Sequence, residues 1–264
     1  MKENNSIKIS ATIITFNEER NIERCISSLK EVTDEIVVVD SYSTDKTEKK
    51  CRNNNVKIIK HEFEGNIQQQ NYAVSQASYD YILSLDADEE LSNELKKSII
   101  EIKNNCLFDG YTFNRLTSYC GKWIRYCGWY PDTKLRIWNR NKGKFEGINP
   151  HGKVIMKPGC SIKHINGDLF HHSYYNINQH IEKINYYTDI SSIEAFKQGK
   201  KTNILKIIIK SLFKFFRDYF LKLGFLDGYY GFIICVNSMH AKFLKYVKLN
   251  ELDKSLKKRI LRTK

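Results

Sequence analysis

Over the N-terminal part of the chain, the spacing of apolar positions alternates between two periods. Residues 8–15 (KISATIIT) are β-branched and apolar, which predicts a strand, and residues 17–29 then set Ile22, Ile26 and Leu29 at helical spacing. Residues 35–40 (EIVVVD) form a continuous apolar run ending in a carboxylate, the pattern of a central parallel strand buried on both faces. A polar-faced helix is predicted over 44–53, a strand over 56–60, a helix over 66–76, and a strand over 79–85 (YDYILSL) that runs into Asp86 and Asp88. Strand and helix alternating through short links predict a doubly wound parallel sheet, whose ligands bind at the carboxyl ends of the strands. Polar clusters fall at three of those ends, over 15–18, 40–45 and 86–90. A nucleotide site needs polar groups delivered to one edge in this way.

Beyond residue 105 the pattern is mixed and aromatic, with Tyr111, Phe113, Tyr119, Trp123, Tyr126, Trp129, Tyr130 and Trp138 close together. Aromatic platforms suit sugar faces, and Trp129 is the acceptor-side candidate. Each ring taken alone also suits a core or edge-strand position. After His172 the chain reads as helical. Within 200–224, Asn203, Lys206, Lys210, Lys214 and Arg217 recur at helical spacing, opposite Ile207, Ile208, Leu212, Phe215, Phe216 and Tyr219. This predicts an amphipathic helix with a wide apolar face, suited either to a membrane surface or to packing on the rest of the protein with its lysines in water. The expected division is a catalytic α/β domain over 1–199, with a nucleotide-binding half at 1–105 and an acceptor half at 106–199, followed by a basic helical tail at 200–264.

With 41% hydrophobic, 12% aromatic and 28% charged residues, the chain has the composition of a folded protein. The net charge of +13 suggests a nucleic-acid-binding protein until it is divided: residues 200–264 carry 16 Lys and Arg against 4 Asp and Glu, leaving 27 against 26 in residues 1–199. A tail so biased suits an anionic membrane surface better than a nucleic acid, so no nucleic-acid partner is expected. The seven cysteines are scattered and form no CxxC pair, which fits a reduced cytosolic protein. The first residues have no signal-peptide pattern, and every apolar run is interrupted short of the roughly 18 residues that cross a bilayer.

The central chemical feature is Asp86-Ala87-Asp88 at the end of an apolar strand. Two carboxylates separated by one residue suit a hard divalent cation that neutralises a diphosphate. Asp88 and Glu89 equally suit the N-cap of a helix over LSNELKKSII. The chain resembles the family-2 inverting glycosyltransferases of the GT-A fold, in the branch that builds lipopolysaccharide cores. The resemblance lies in SATIITFNEERNIERCISSL, DEIVVVDSYSTDKT, YILSLDADEELS, PDTKLRIWNR and FHHSY, which cover residues 8–175 in order. It thins out after residue 200.

The resemblance implies an α/β GT-A fold, with a Rossmann-like parallel sheet for the nucleotide, a mixed-sheet acceptor half and C-terminal amphipathic helices. It places Thr15, Asn17 and Glu18 in the ribose and base pocket, with Asp40 accepting from the base and Ser41 and Asp45 shaping the same loop. Asn17 and Asp45 also suit helix caps. Asn71, in the segment QQQNYA, belongs to the implied nucleotide-binding set, although relatives often carry a basic residue before the Asn and this chain has Gln70. Asp88 and His171 become the ligands of Mn2+ or Mg2+, Asp86 lies nearer the ribose, and His172 is an extra imidazole. The expected base is Asp132, with Arg136 holding it or a phosphate. Pro131-Asp132 also suits a turn. Relatives often carry a VHE-like triplet where this chain has Pro150-His151-Gly152, leaving His151 as a second candidate.

The expected activity is transfer of a hexose, glucose from UDP-glucose, to a lipid-anchored oligosaccharide at the cytoplasmic face of the membrane. The alternatives are another nucleotide sugar, such as galactose or an N-acetylhexosamine, and a nucleic-acid-binding protein.

Overall fold

The computed structural model describes residues 6–147 and 152–262, with side chains described as far as residue 254. It forms two compact units: Met1–Leu116 with Pro131–His172, and Thr117–Tyr130 with Ser173–Lys264. The second unit therefore reaches back well before residue 200.

In the first unit, β1 (Ile9–Thr15) is followed by α1 (Ile22–Leu29), β2 (Glu35–Asp40), α2 (Thr47–Asn53), β3 (Lys57–Lys60), α3 (Asn66–Ser75) and β4 (Tyr81–Asp86). β1 pairs in parallel with both β2 and β4, and β2 with β3. The β1 register sets Thr15 opposite Asp40 and Ile14 opposite Asp86, so the polar clusters meet along one edge of the sheet. β1 is buried nearly throughout because helices cover both faces of such a strand. Ile9, Ala11 and Ile13 pack with Ile22, Ile26, Leu29, Leu83 and Leu85. Each isoleucine or leucine side chain taken from water contributes about 1.5–3 kcal/mol.

Two helices begin later than their apolar spacing predicts. Asn17 is left-handed, with φ 55°, and its Oδ1 accepts the N–H of Thr44 at 2.8 Å. Asp45 accepts the N–H groups of Glu19, at 3.0 Å, and Thr47, at 2.9 Å. These bonds hold the loops after β1 and β2 together and delay α1 and α2.

Beyond β4 the sheet becomes mixed. Next come β5 (Glu89–Leu91), α4 (Asn93–Asn104), β6 (Gly110–Tyr119), β7 (Lys122–Ile124), β8 (Asp132–Asn139), β9 (Gly143–Glu146), β10 (Lys153–Met156) and β11 (Ile162–Tyr174). The sheet order is β3-β2-β1-β4-β8-β6-β11-β5, with β8 antiparallel to β4 and to β6. β9 and β10 form a separate hairpin. Tyr111, Phe113 and Trp138 are core residues here, and none presents an open aromatic face. α4 is capped by Ser92, whose Oγ accepts from Leu95 at 3.2 Å, so Asp88 and Glu89 are not its N-cap. Gly167 of β11 has φ +100°, and a Cβ there would lie 2.3 Å from the Leu95 nitrogen, so only glycine lets β11 pass this close to α4.

In the second unit, β7 pairs with the last residues of β6, and α5 (Ile177–Lys197) and α6 (Ile204–Phe216) lead into a π-helical turn at Arg217–Leu221. A 3-10 turn at Gly224–Asp227 and α7 (Gly228–Arg262) complete it. The buried Asp227 accepts the N–H of Tyr126 at 2.8 Å and receives the Lys122 ammonium on its carbonyl at 2.6 Å. No single helix among the described residues is long and apolar enough to cross a membrane; α6 with its π-turn and α7 pass that test only as a pair bent by 71°.

Candidate active site

The carboxyl end of β4 brings together Asp86, Asp88, Arg136 and His171 in the first unit. Asp88 Oδ2 lies 3.3 Å from Nε2 of His171, which β11 brings alongside β5 by pairing His171 with Glu89. The neighbouring His172 is directed elsewhere, with its Nε2 3.1 Å from Glu90, which Arg24 also approaches at 3.4 Å. Burial pushes the His172 imidazole below its ordinary range, helped by Arg24 and opposed by Glu90.

Asp86 faces inward. Its carboxylate meets Arg136 Nη2 at 3.1 Å and the Gln70 side-chain amide at 3.2 Å, and Gln70 in turn accepts from Ser84 at 2.9 Å. Arg136 also holds Glu89 at 2.7 Å, and Arg115 reaches the same carboxylate at 3.3 Å. Glu89 has no solvent exposure, and its remaining oxygen accepts the N–H of Asp86 at 2.9 Å. Burial pushes the Glu89 carboxyl up against the pull of the two guanidiniums. Arg136 is buried too, but Glu89 and Asp86 more than offset that burial and hold it charged.

Asp132, at the start of β8, is paired by Arg115 at 2.9 Å and Lys134 at 2.9 Å. Partial burial raises its pKa, but the Lys134 hydrogen bond and the Arg115 charge outweigh that and hold it below the usual carboxylate range. The expectation that Arg136 holds Asp132 is corrected: Arg115 does so, while Arg136 belongs to Asp86 and Glu89.

The predicted nucleotide residues divide into two groups. Thr15 is buried at the carboxyl end of β1, and its hydroxyl finds no hydrogen-bond partner among the described residues. Glu18 accepts from Asn21 at 2.7 Å, and Ser41 accepts from Gln69 at 2.9 Å. Asp40 is fully buried, but the Ser43 N–H at 3.0 Å and the Ser43 hydroxyl occupy its oxygens, so its burial needs no ligand to explain it. Asn17 and Asp45 are committed to the loop bonds described above, and hydrogen bonding from Thr47 and Glu19 outweighs partial burial to lower the Asp45 pKa. The Asn71 amide donates to the Phe145 carbonyl at 2.9 Å and accepts the Phe145 N–H at 3.0 Å, which ties α3 to β9.

His151 lies outside the described residues. At Gly152, where a VHE-like triplet would place a carboxylate, a Cβ would meet Ile67 at 2.5 Å. Trp129 belongs to the second unit, where it is half-buried in an aromatic cluster with Tyr119 at 5.9 Å and Tyr174 at 5.6 Å between ring centroids. Its packing is that of a core residue.

Sequence reasoning missed Arg115, Gln70 and the buried role of Glu89. Arg115 sits mid-strand without a motif, and the acid run after Asp88 is the one signal that pointed toward Glu89.

The donor set suits a divalent ion. A carboxylate and an imidazole 3.3 Å apart are both acceptable to Mn2+, and Mg2+ or Mn2+ commonly takes few protein ligands, with substrate phosphates and water completing the shell. No group of three His, Cys, Asp or Glu residues converges among the described residues, so the remaining positions would fall to ligand oxygens.

A family model described as glycosyl transferase family 2 matches residues 10–157. An uncharacterised glycosyltransferase of Rickettsia typhi is 33% identical over 262 residues, covering 96% of this chain and 89% of its own length. The lipopolysaccharide core biosynthesis glycosyltransferase LpsC of Rhizobium meliloti is 27% identical over 261 residues, covering 92% of each. Among solved structures, the mannosyltransferase PcManGT from Pyrobaculum calidifontis, in complex with GDP-Man and Mn2+, is similar with a TM-score of 0.55 at 15% identity, covering 94% of this chain and 88% of that one. The mixed sheet with its parallel N-terminal strands is the GT-A fold, and the chain belongs to glycosyl transferase family 2.

Proposed function

We propose that this chain is an inverting, metal-dependent hexosyltransferase that moves glucose from UDP-glucose to a lipid-anchored oligosaccharide of the lipopolysaccharide-core kind, working at the inner face of the cytoplasmic membrane. The observation that carries this is the approach of Asp88 to His171 at 3.3 Å beside the carboxyl edge of the parallel strands. The name of the LpsC relative supports the acceptor class, and the Mn2+ in the PcManGT complex supports the metal.

Asp88 and His171 would hold Mn2+ or Mg2+. When bound, the ion neutralises the charge that develops on the leaving diphosphate. Asp86 is paired by Arg136 and hydrogen-bonded by Gln70, which fixes the backbone from which Asp88 projects. Thr15, with its unpartnered hydroxyl, together with Glu18 and Ser41, would line the nucleoside pocket, while Asn17, Asp40 and Asp45 hold its loops in place.

Inversion needs attack by the acceptor hydroxyl from the side opposite the leaving group, with a base to take its proton. Asp132 fills that role. Its lowered pKa leaves it ionised at neutral pH, and it takes the proton as the new glycosidic bond forms. Arg115 holds the carboxylate in position and ties it to Glu89.

The test is a donor screen by nucleotide release with Mn2+ or Mg2+ present, using UDP-glucose, UDP-galactose, UDP-N-acetylglucosamine and GDP-mannose. UDP-glucose is expected to be consumed fastest. Preference for another sugar would replace the donor, and no release from any would remove the catalytic assignment.

A further inference from the structure

The second unit carries a helix turned against the ordinary rule of burial. Along α6 only Ile207 and Ser211 are buried, while Ile204 is 76% exposed, Leu205 63%, Leu212 59% and Phe213 57%. The apolar surface continues through Phe216, Phe220, Leu221, Phe225 and Leu226. A helix packed as a solvated cover would present its lysines to water and its apolar side inward. Here Ile204, Leu205, Leu212 and Phe213 are exposed alongside Lys206 and Lys210, and the Lys210 ammonium also reaches α7, 3.1 Å from the Tyr246 hydroxyl.

Beside this face, α6, the π-helical turn and α7 border an open cleft of about 480 Å3 lined by Ile209, Lys210, Phe213, Lys214, Arg217 and Lys242. Four of the six lining residues are cations. The carboxylate against them is that of the buried Asp218, which Lys214 and, at 2.9 Å, Arg217 already engage. Lys210 and Lys242 crowd the Tyr246 ring at 5.2 and 5.5 Å. Partial burial lowers the Lys242 ammonium below its ordinary range, and the positive charges of Lys245, Lys210 and Lys214 add to that. Like charges gathered around a cleft are unfavourable until an anion joins them.

We infer that this cleft is a binding site for the phosphate of an anionic phospholipid, with the surrounding exposed apolar face of α6 and the turns seated among the acyl chains. Charge complementarity and the apolar walls together choose the lipid over a free phosphate. Inorganic phosphate satisfies the cations but gives Ile209, Phe213 and the residues beyond them nothing to bury against, whereas a phospholipid satisfies both. The inference rests on the membrane setting of the proposed function, but it concerns a site separate from the donor pocket.

The experiment is vesicle flotation of the full chain, alongside nucleotide release from the donor in solution. Wild type is expected to float with phosphatidylcholine vesicles containing phosphatidylglycerol and to stay down with phosphatidylcholine alone. Lys210→Gln with Lys242→Gln is expected to weaken flotation by about thirtyfold, roughly fivefold per lysine. Leu212→Ser with Phe213→Ser, which leaves the charge unchanged, is expected to weaken it comparably. Far-UV circular dichroism and donor turnover in both variants should match wild type, which separates loss of docking from loss of fold. Equal binding to neutral and anionic vesicles, or flotation unchanged in the lysine pair, would overturn the inference. So would saturable binding of inorganic phosphate by a wild type that fails to float, since that assigns the cleft to a soluble anion. If flotation fails while donor turnover persists, the transferase assignment stands and this site falls alone.

Discussion

Nη2 of Arg136 stands 2.7 Å from the carboxylate of Glu89, a residue with no solvent exposure. The pair lies behind Asp86 and ties β8, which carries Asp132, to β5, which pairs with the His171 strand. Breaking a buried ion pair by removing one partner leaves the other charged and unsolvated, which costs about 3–5 kcal/mol. Arg136→Ala is accordingly expected to lower unfolding free energy by about that amount in urea titration. A loss within about 0.5 kcal/mol, the range of an ordinary surface change, would show that the pair is not a structural element.

The two adjacent imidazoles are expected to separate cleanly. His171 meets Asp88, whereas His172 meets Glu90. His171→Ala should weaken Mn2+ binding by about 10-fold or more and lower turnover, while His172→Ala should leave metal affinity within a few-fold of wild type. Calorimetric titration of Mn2+ in the presence of UDP separates them, and the reverse ranking would mean that the wrong imidazole has been assigned.

Asp132→Asn should preserve donor binding and lower the chemical step by about a hundredfold or more. Because Lys134 and Arg115 hold the carboxyl below the ordinary range against the effect of burial, the group is ionised throughout the neutral region. The acid limb of the turnover profile should therefore lie below the usual carboxylate value of about 3.9, wherever the fold survives. Arg115→Gln should move that limb upward. The same sign holds for stability: the contribution of the Asp132 pairing is complete above the unfolded carboxyl range and is lost as pH falls through the lowered folded value. A normally active Asp132→Asn enzyme would transfer the base role elsewhere.

Asn71→Ala should destabilise the fold by about 1–3 kcal/mol, because the buried N–H and carbonyl of Phe145 lose their partners. Donor affinity should stay within twofold of wild type. A large loss of UDP affinity at unchanged stability would assign Asn71 to the donor site.

The parallel strands were legible because a strand covered on both faces needs a continuous apolar run, and 35–40 and 81–85 have one. The Asp86-Ala87-Asp88 triplet was legible because a motif at a strand end places its own side chains. The network behind it was not. Glu89 and Arg115 are 26 positions apart, and they meet only because β11 joins β5 to β6 in the sheet. Asn71 and Phe145 are 74 positions apart, and the amide resembles any polar helix residue until β9 packs beside α3. Helical periodicity over 204–216 revealed two faces but not which one turns inward, since that depends on what α7 offers. Ile207 and Ser211 turn in there, while Lys210 stays exposed and reaches Tyr246 across the surface.

Cooperative binding of UDP and a divalent ion tests the central claim most directly, since on the proposed reading Asp88 and His171 would leave the ion's shell incomplete for a diphosphate to fill. UDP should be titrated calorimetrically into the wild-type chain and the Asp88→Ala variant, with Mn2+ and with EDTA. The expected result is that Mn2+ tightens UDP binding by about 5- to 150-fold in wild type, that UDP tightens Mn2+ by the same factor, and that Asp88→Ala removes the coupling while leaving the fold intact. UDP affinity indifferent to Mn2+, with full donor turnover in EDTA, would contradict the metal-dependent mechanism.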